Sequence, residues 1–430
     1  MAPHPPVRDP RLPRLGVLYD PSTVDLVPLV RAGSGSWRTV WLVDRERLPA
    51  DTSLRTFERF GELVDITGRR PAGIGEDPRV APRLVAPGLL ASNDADLRRG
   101  ADLASALGIR FATPAQAFRL TDKPSQRAAF RAAGIPSPEW VALAAGISVA
   151  QAVASAASLR FPVVLKPAQG SGSRYTRSVA DPTALARALT EHGDALVEDL
   201  VLEERIPDGW GRDDRPWADV VSVESIRAAG RISHHGLTGR FALLPEFRET
   251  GNFVPAAVPP AQWPELADLA EAAIRSLDPP DGAFHTEIKL SPDGPRVLEV
   301  NGRLGGGSLV WGTEEVTGRS LLPLAGRAAL GLPIGPSRGL DPEGFAGVAF
   351  GRYYQPPLGA QAVLEVAGLD AARALPGVED VIVFRQPGSP VDPDGGFMAH
   401  VCAVRGRAAD HQHLVELVAR IDSIVSITYA

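Results

Sequence analysis

The sequence predicts a mixed fold, α/β in its first part and α+β beyond it. Near the N-terminus, short apolar strands alternate with helix-compatible stretches, the pattern of βαβ units and a parallel sheet. From about residue 161 the pattern changes to paired strands with turn residues between them, as antiparallel hairpins require. At 430 residues the chain is too long for one ordinary core, and roughly two to three domains are expected.

The elements follow in order. RLGVLYD, Arg14 to Asp20, is a short apolar strand stopped by Asp20 and Pro21, and TVWLVD, Thr39 to Asp44, is a second strand. GELVDITG follows, then a surface loop rich in Pro and Gly around 71–80, then RLVAPGLLAS. After the helix LRRGADLASALG, Asp122, Lys123 and Pro124 open another helix, which ends at Gly134 before the Ile135-Pro136 stop. FPVVLKP is a β-rich run bounded by prolines, and the Gly/Ser loop AQGSGSRY leads from it to the helix TALARALTEHG. ALVEDLV reads as an apolar strand. RPWADVVSVESIRAAGRISHHGLTGR alternates and turns at Ala229-Gly230. GAFHTEIKLSPDGPRVLEVN is a second hairpin, turning at Ser291-Pro292-Asp293-Gly294. From about 340 come the strands GVAFGRYYQ, VEDVIVFR and FMAHVCAVRG, then the helix HQHLVELVARIDSI.

Composition removes several function classes. Hydrophobic content of 44% and charged content of 22% are those of a soluble globular protein. Lys and Arg number 45 against 51 Asp and Glu, a net charge of −6 that gives nucleic acid no electrostatic footing. No apolar run is long enough to span a bilayer, so no membrane association is expected. The basic N-terminus lacks an apolar h-region, which argues against a leader peptide. The single cysteine, Cys402, fits a reducing cytoplasm and reads as a buried, inert thiol.

The chemistry concentrates in RVLEVNGRLGGGS, Arg296 to Ser308. Alternate residues of a strand share a face, so Glu299, Asn301 and Arg303 project together. On the partner strand Glu287 shares a face with His285 or Lys289. Two carboxylates and an amide oxygen on one side of a hairpin suit a hard divalent ion, Mg²⁺ above all. The planar fork of Arg303 suits phosphate or an acyl phosphate. The glycines Gly305 to Gly307 let backbone N–H groups approach an anion. A bare E-x-N would be an ordinary solvated turn; Glu287 in register is what makes it a site.

The Gly/Ser loop follows Lys166 on its strand and is a general phosphate cradle. It has neither the Gly-Lys-Ser/Thr ending of a Walker loop nor the spacing of a dinucleotide fingerprint. Taken alone, Lys123 and Lys166 are solvated lysines, and Glu198 and Asp199 a solvated turn. No Ser-His-Asp or Gly-x-Ser-x-Gly arrangement is present. Metal and phosphate chemistry is therefore favoured over covalent catalysis.

Read in order, these pieces resemble the ATP-grasp superfamily of carboxylate–amine ligases. TDKPSQRAAFRAAGIPSP, FPVVLKP, AQGSGSR, ALVEDLV, HTEIKL and LEVNGRLGGG carry the resemblance, over roughly residues 113 to 335. TGRFALLPEFRETGNFVPA and RLGGGS look most like the L-amino acid ligase branch, which makes dipeptides, and the last ninety residues look like its C-terminal domain.

The resemblance implies an N-terminal Rossmann-like domain over 1–112, an ATP-grasp domain over 113–338 with two subdomains clamping ATP, and a C-terminal α+β domain over 339–430. Lys123 and Lys166 would contact ATP phosphates, with Gly170, Ser171, Gly172 and Ser173 folding over them. Glu198, Asp199 and Leu200 would form the hinge that reads adenine. Glu287, Glu299 and Asn301 would hold two Mg²⁺ ions, with Mn²⁺ as a substitute, and Arg303 would steady the γ-phosphate and then the acyl phosphate. Glu249, Asn252, Gly305 and Gly306 would lie near the amino-acid substrate. Related ligases are often dimers, so the resemblance also implies a homodimer.

Related ligases often read Glu-Thr-Gly-His where this chain has Glu249-Thr250-Gly251-Asn252, which leaves the substrates open. The acidic ribose contact usually follows the hinge closely; here EERIPDGWGRDDRPWAD intervenes, and Glu203, Asp219 and Glu224 all stand as candidates. The activity expected is an ATP-dependent ligase that forms an amide or peptide bond through an acyl phosphate and releases ADP and phosphate. Its partners are a small-molecule carboxylate and amine. The alternatives are a ligase acting on a non-amino-acid or nucleoside carboxylate, and a non-catalytic nucleotide-binding regulator.

Overall fold

The first strand, β1 (Arg14–Tyr19), buries five of its six residues, as a strand covered on both faces must. It pairs in parallel with β2 (Arg38–Val43) on one side and β4 (Gly88–Ala91) on the other, and β3 (Glu62–Asp65) extends the far edge. The order β3-β2-β1-β4 reverses between β1 and β4, which leaves a crevice outside their carboxyl ends. The helix Asp94–Leu107 starts there, capped by the Asn93 side chain and carrying Asp94 and Asp96 in its first turn. The computed structural model describes residues 9–21, 26–48, 52–70, 73–74, 88–191, 196–209, 216–337 and 339–430. Apart from 73–74, the Pro/Gly-rich loop expected at 71–80 lies outside the described residues.

A second sheet is antiparallel throughout, with β5 (Trp140–Leu143), β6 (Val163–Pro167), β7 (Arg177–Val179) and β8 (Leu200–Glu204) in the order β5-β8-β6-β7. β6 alternates as its sequence requires: Val163, Leu165 and Pro167 are buried, while Val164 and Lys166 face the other way. The buried side packs with Leu143, Leu202, Leu185 and Leu189 under the helices Val149–Ser155 and Pro182–Glu191. The strand expected over ALVEDLV begins only at Leu200. Before it, Asp199 accepts the Ala145 N–H at its side chain (2.8 Å) and the Ala168 N–H at its carbonyl (2.9 Å), which makes a turn.

The third sheet holds eight strands. β9 (Trp217–Ala228) and β10 (Arg231–Phe241) form the first expected hairpin, with Ala229 and Gly230 both at positive φ in its turn. β12 (Gly282–Ser291) and β13 (Gly294–Asn301) form the second. β11 (Gly251–Val254) joins β10 to β14 (Val348–Tyr354), and β17 (Cys402–Ala408) and β16 (Val378–Val383) complete the order β13-β12-β9-β10-β11-β14-β17-β16. The sheet therefore runs without a break from residues before 338 into residues after it. β15 (Val363–Ala367) and β18 (Ser426–Tyr429) make a separate two-stranded ribbon. The helix His411–Ile424 buries Leu414, Leu417, Val418 and Ile421 in a cluster with Phe350, Cys402 and Val404. Among the described residues no helix is long and apolar enough to cross a membrane.

Candidate active site

A cavity of about 650 Å³ separates the second sheet from the eight-stranded one, and the polar groups singled out in the sequence converge on it. On the second-sheet side, the cleft-facing alternation of β6 delivers Lys166. Its Nζ lies 2.8 Å from Glu203 Oε2 on β8, and the other oxygen of Glu203 lies 2.8 Å from Arg127 Nη2. Burial pulls the Lys166 amine below its ordinary range, and Glu203 works against that pull. Burial opposes the charge on Glu203 too, but Arg127 and Lys166 outweigh it and hold the carboxyl below its usual range. Lys166 and Glu203 form a close buried pair.

Lys123 is the first residue of the helix Lys123–Ala132, which Asp122 caps by accepting the Ser125 N–H at 2.9 Å. The helix is locked to β13 because Gln126 bonds both the N–H and the carbonyl of Val300, each at 2.9 Å. That lock sets Lys123 beside the neighbouring Glu299. Lys123 Nζ donates to the Gly170 carbonyl at 2.7 Å and lies 3.5 Å from Glu299 Oε2. One lysine thus touches both the Gly/Ser loop and a carboxylate of the hairpin.

The loop Gly170–Ser173 lines the cavity, with Gly170, Gly172 and also Ser173 at positive φ. It is held from outside by the last part of the chain. Phe397 donates its N–H to the Gly172 carbonyl (2.7 Å), and Tyr175 donates to the Asp394 carbonyl (3.2 Å). Nothing in the sequence marks these two partners.

In the hairpin the register places Glu287 opposite Glu299 and His285 opposite Asn301. His285 is buried between two acids, with Nδ1 2.7 Å from Glu224 Oε1 and Nε2 3.1 Å from Glu287 Oε1. Burial disfavours the charged ring, but Glu224 outweighs it, and the imidazole is pushed up to about 9. Glu287 is likewise held low: burial would raise it, and His285 and Arg240 more than reverse that. Arg303, just past β13, donates from Nε to Asp94 (2.9 Å) and from Nη2 to Asn301 Oδ1 (3.2 Å).

Among the described residues no cluster of three or more His, Cys, Asp or Glu is placed to hold a metal. Glu287 and Glu299 supply two carboxylates and Asn301 an amide oxygen, too few for a closed all-protein cage. Mg²⁺ characteristically takes one or two carboxylates, waters and substrate phosphates, so the set fits an ion that arrives with a nucleotide.

Comparison with solved structures decides the fold. An L-amino acid ligase from Bacillus licheniformis superposes with a TM-score of 0.76, covering 98% of this chain and 99% of that one at 17% identity. The fold is ATP-grasp. An N5-carboxyaminoimidazole ribonucleotide synthetase from Thermotoga maritima matches at 0.67, over 97% of this chain and all of that one, at 16% identity. A carboxyaminoimidazole ribonucleotide synthase from Aspergillus clavatus, complexed with ATP, matches at 0.69, over 96% and 99%, at 16% identity. In sequence, carnosine synthase 1 of Gallus gallus is 32% identical over 201 residues, 44% of this chain and 21% of that protein. An uncharacterized protein of Sinorhizobium fredii is 28% identical over 250 residues, 56% of this chain and 48% of that one. The matches thus span about a fifth of the carnosine synthase and about half of the Sinorhizobium protein. No protein-family model matches the chain.

Within the ATP-grasp fold, several residues read from the sequence gather at the cavity: Lys123, Lys166, Gly170 to Ser173, Glu249, Glu287, Glu299 and Arg303 all line it. Asn301 reaches it through Arg303. The residues expected at the hinge do not line the cavity: Glu198 is 3.8 Å from Arg174, Asp199 accepts the Ala145 N–H, and Leu200 is buried. The chain crosses from the second sheet to the third at the other end of β8, and Glu203, Glu204, Arg205 and Ile206 line the cavity there. The legible signal was Ile206-Pro207, which stops a strand, in place of the acids of ALVED. Of the three ribose candidates Asp219 lines the cavity with its carboxylate near the Gly209 N–H (2.8 Å), Glu203 is taken by its cations, and Glu224 is buried with His285.

Asn252, Gly305 and Gly306 do not line this cavity. The glycine run passes over the buried pair instead, and a Cβ at Gly305 would lie 2.9 Å from His285 Nδ1 and 3.0 Å from Glu224 Oε2. Gly307, at φ +64, abuts Asn252 and Tyr353. Close packing is what demands glycine here. Sequence reasoning missed Asp94, which is remote from the motifs, and Arg127 and Arg240, which lie within TDKPSQRAAFRAAGIPSP and TGRFALLPEFRETGNFVPA but were given no role.

Proposed function

We propose that the protein is an ATP-dependent carboxylate–amine ligase whose acid substrate is an amino acid. The observation that carries this is the convergence on Lys123: one ammonium contacts the phosphate-type loop at Gly170 and the acid Glu299 of the hairpin. Phosphate cations and metal carboxylates meet at one point of the cavity, as phosphoryl transfer requires. The ligase class draws support from the L-amino acid ligase and the carnosine synthase, and the nucleotide from similar structures solved with ATP and MgADP.

ATP is a substrate that lies with its phosphates between Lys123, Lys166 and the Gly170–Ser173 loop, and with its base toward Glu203 to Ile206. Glu287, Glu299 and Asn301 would hold Mg²⁺, which would neutralise phosphate charge. An oxygen of the acid attacks the γ-phosphorus, the bond to the bridging oxygen breaks, and ADP leaves. The amine nitrogen then attacks the acyl carbon, the acyl–phosphate bond breaks, and phosphate leaves as the nitrogen gives up a proton. Arg303, held by Asp94 and Asn301, balances charge on the phosphoryl oxygens in both steps. Glu203, held below its usual range by Arg127 and Lys166, favours the charged form of Lys166 against its burial.

The test incubates the full chain with ATP, Mg²⁺ and the twenty common amino acids, following ADP, phosphate and products by mass spectrometry. A dipeptide formed with one ADP per bond is the expected result. ADP binding without any release across amino-acid, organic-acid and amine pools would overturn the ligase reading in favour of a nucleotide-binding regulator.

A further inference from the structure

We propose that Arg240 is the receptor for the carboxylate of the acid substrate, with Glu249 beside it taking that substrate's ammonium group. The inference deepens the ligase reading and rests on it. Arg240 ends β10 and is almost wholly buried, yet it opens on the cavity opposite Lys123 and Lys166. A guanidinium carries five N–H donors. Here Nη1 donates to Ser222 Oγ at 3.3 Å, Nε lies 3.3 Å from Glu249 Oε2 without a hydrogen bond, and Nη2 is 3.9 Å from Glu287 Oε1.

Arg248, an arginine with a structural task, is held more tightly and donates to the carbonyls of Pro245 (3.1 Å) and Pro356 (2.5 Å). Three other cations of the cavity have close partners, Lys123 at Gly170, Lys166 at Glu203 and Arg303 at Asp94, while Arg174 is half exposed and 3.8 Å from Glu198. Arg240 is the deeply buried cation of the cavity whose Nε is left without a hydrogen bond. A buried donor left without a partner is unfavourable, and a planar carboxylate is the ligand whose geometry matches a guanidinium.

Glu249 gives the substrate its second charge. Its carboxylate also lines the cavity and stands 3.3 Å from Arg240 Nε. A zwitterion brings a negative group to Arg240 and a positive one to Glu249, so each gains a counter-charge. A simple carboxylic acid would leave Glu249 unpaired. Glu287 loses little if Arg240 turns to substrate, since His285 Nε2 already holds its Oε1 at 3.1 Å.

The experiment compares the full-length wild type with Arg240→Lys and Arg240→Gln. ADP release is measured at saturating ATP and Mg²⁺ while an equimolar mixture of the twenty common amino acids is titrated, and a fluorescent ADP analogue reports nucleotide binding. The proposal expects Arg240→Lys to raise the half-saturating amino-acid concentration about tenfold or more, because a lysine cannot form the two-pronged contact. Analogue affinity and the half-saturating Mg²⁺ concentration should stay within about twofold. Arg240→Gln should bind the analogue normally and lose turnover. An unchanged amino-acid half-saturation in Arg240→Lys overturns the proposal, as do an equal shift for Mg²⁺ and loss of analogue binding by both variants, since Arg240 would then serve the metal or the fold. A wild type that binds the analogue but releases no ADP instead overturns the ligase reading, and the role of Arg240 with it.

Discussion

The guanidinium of Arg303 lies 2.9 Å from Asp94, so the residue just past the metal-type hairpin is held by the first turn of a helix that starts beside the parallel sheet. The two residues are 209 positions apart. Through this contact the helix at the first sheet's switch-point crevice supports Arg303 from behind, without itself lining the cavity. The same arginine leans on Asn301, which keeps its fork turned toward the cavity.

Asp94→Ala should lower kcat by about tenfold to a hundredfold, the effect of losing one charge-assisted hydrogen bond of roughly 1.5–3 kcal/mol at a transition state. The KM for ATP should change little. Asp94→Glu should recover part of the loss. Steady-state ADP release checks this, and an equal rise in KM with kcat intact would show that Asp94 serves binding alone.

Replacing Glu299 by Gln removes a carboxylate opposite Glu287 and the charge 3.5 Å from Lys123. Turnover should fall at least about a hundredfold, and the Mg²⁺ concentration for half-maximal activity should rise. Binding of ADP without Mg²⁺ should persist, as a calorimetric titration can show.

Gly396 sits at φ +68 against the Gly/Ser loop, and a Cβ there would lie 2.7 Å from the Arg174 nitrogen. Gly396→Ala should therefore push the 393–399 segment off the loop and break the bond from Phe397 to Gly172. Protease cleavage within 170–175 should quicken, and the KM for ATP should rise by about tenfold at the charge of a neutral substitution. Equal cleavage rates for wild type and variant would refute the coupling.

Stability should depend on pH through two buried histidines. Burial takes His235 and His400 from 6.5 to about 4, with Arg319 adding to it at His235 and Arg385 and Arg405 at His400. The unfolded chain therefore binds more protons between those values, so this contribution is full above pH 6.5 and is lost as pH falls toward 4. The loss amounts to roughly 3 kcal/mol per histidine. Chemical unfolding from pH 7 to 4 measures it, and His400→Gln should flatten the slope by about half.

Legibility followed the range of the interactions. The hairpin with Glu287 opposite Glu299 was readable because strand alternation and turn residues act over a few positions. Lys123 was readable because Asp122 and Pro124 mark a helix start. The crossing between the sheets was not readable at ALVED, because it is set by where β8 leaves its sheet for β9. The glycine run was read as an anion site, and its demand for glycine comes from the buried His285–Glu224 pair beneath it.

By itself the sequence determined most of the segments that become strands and helices, and it grouped two lysines, a Gly/Ser loop and a pair of acids as one candidate site. Those features are local, written in side-chain period, capping and turn residues. Only the tertiary structure decided which remote groups complete the cavity. Asp94 on Arg303, Arg127 on Glu203 and Phe397 on Gly172 are meetings across long sequence distance. Charges and donors of this kind find one another only after the apolar faces have packed, and no short-range pattern in the chain records the partner.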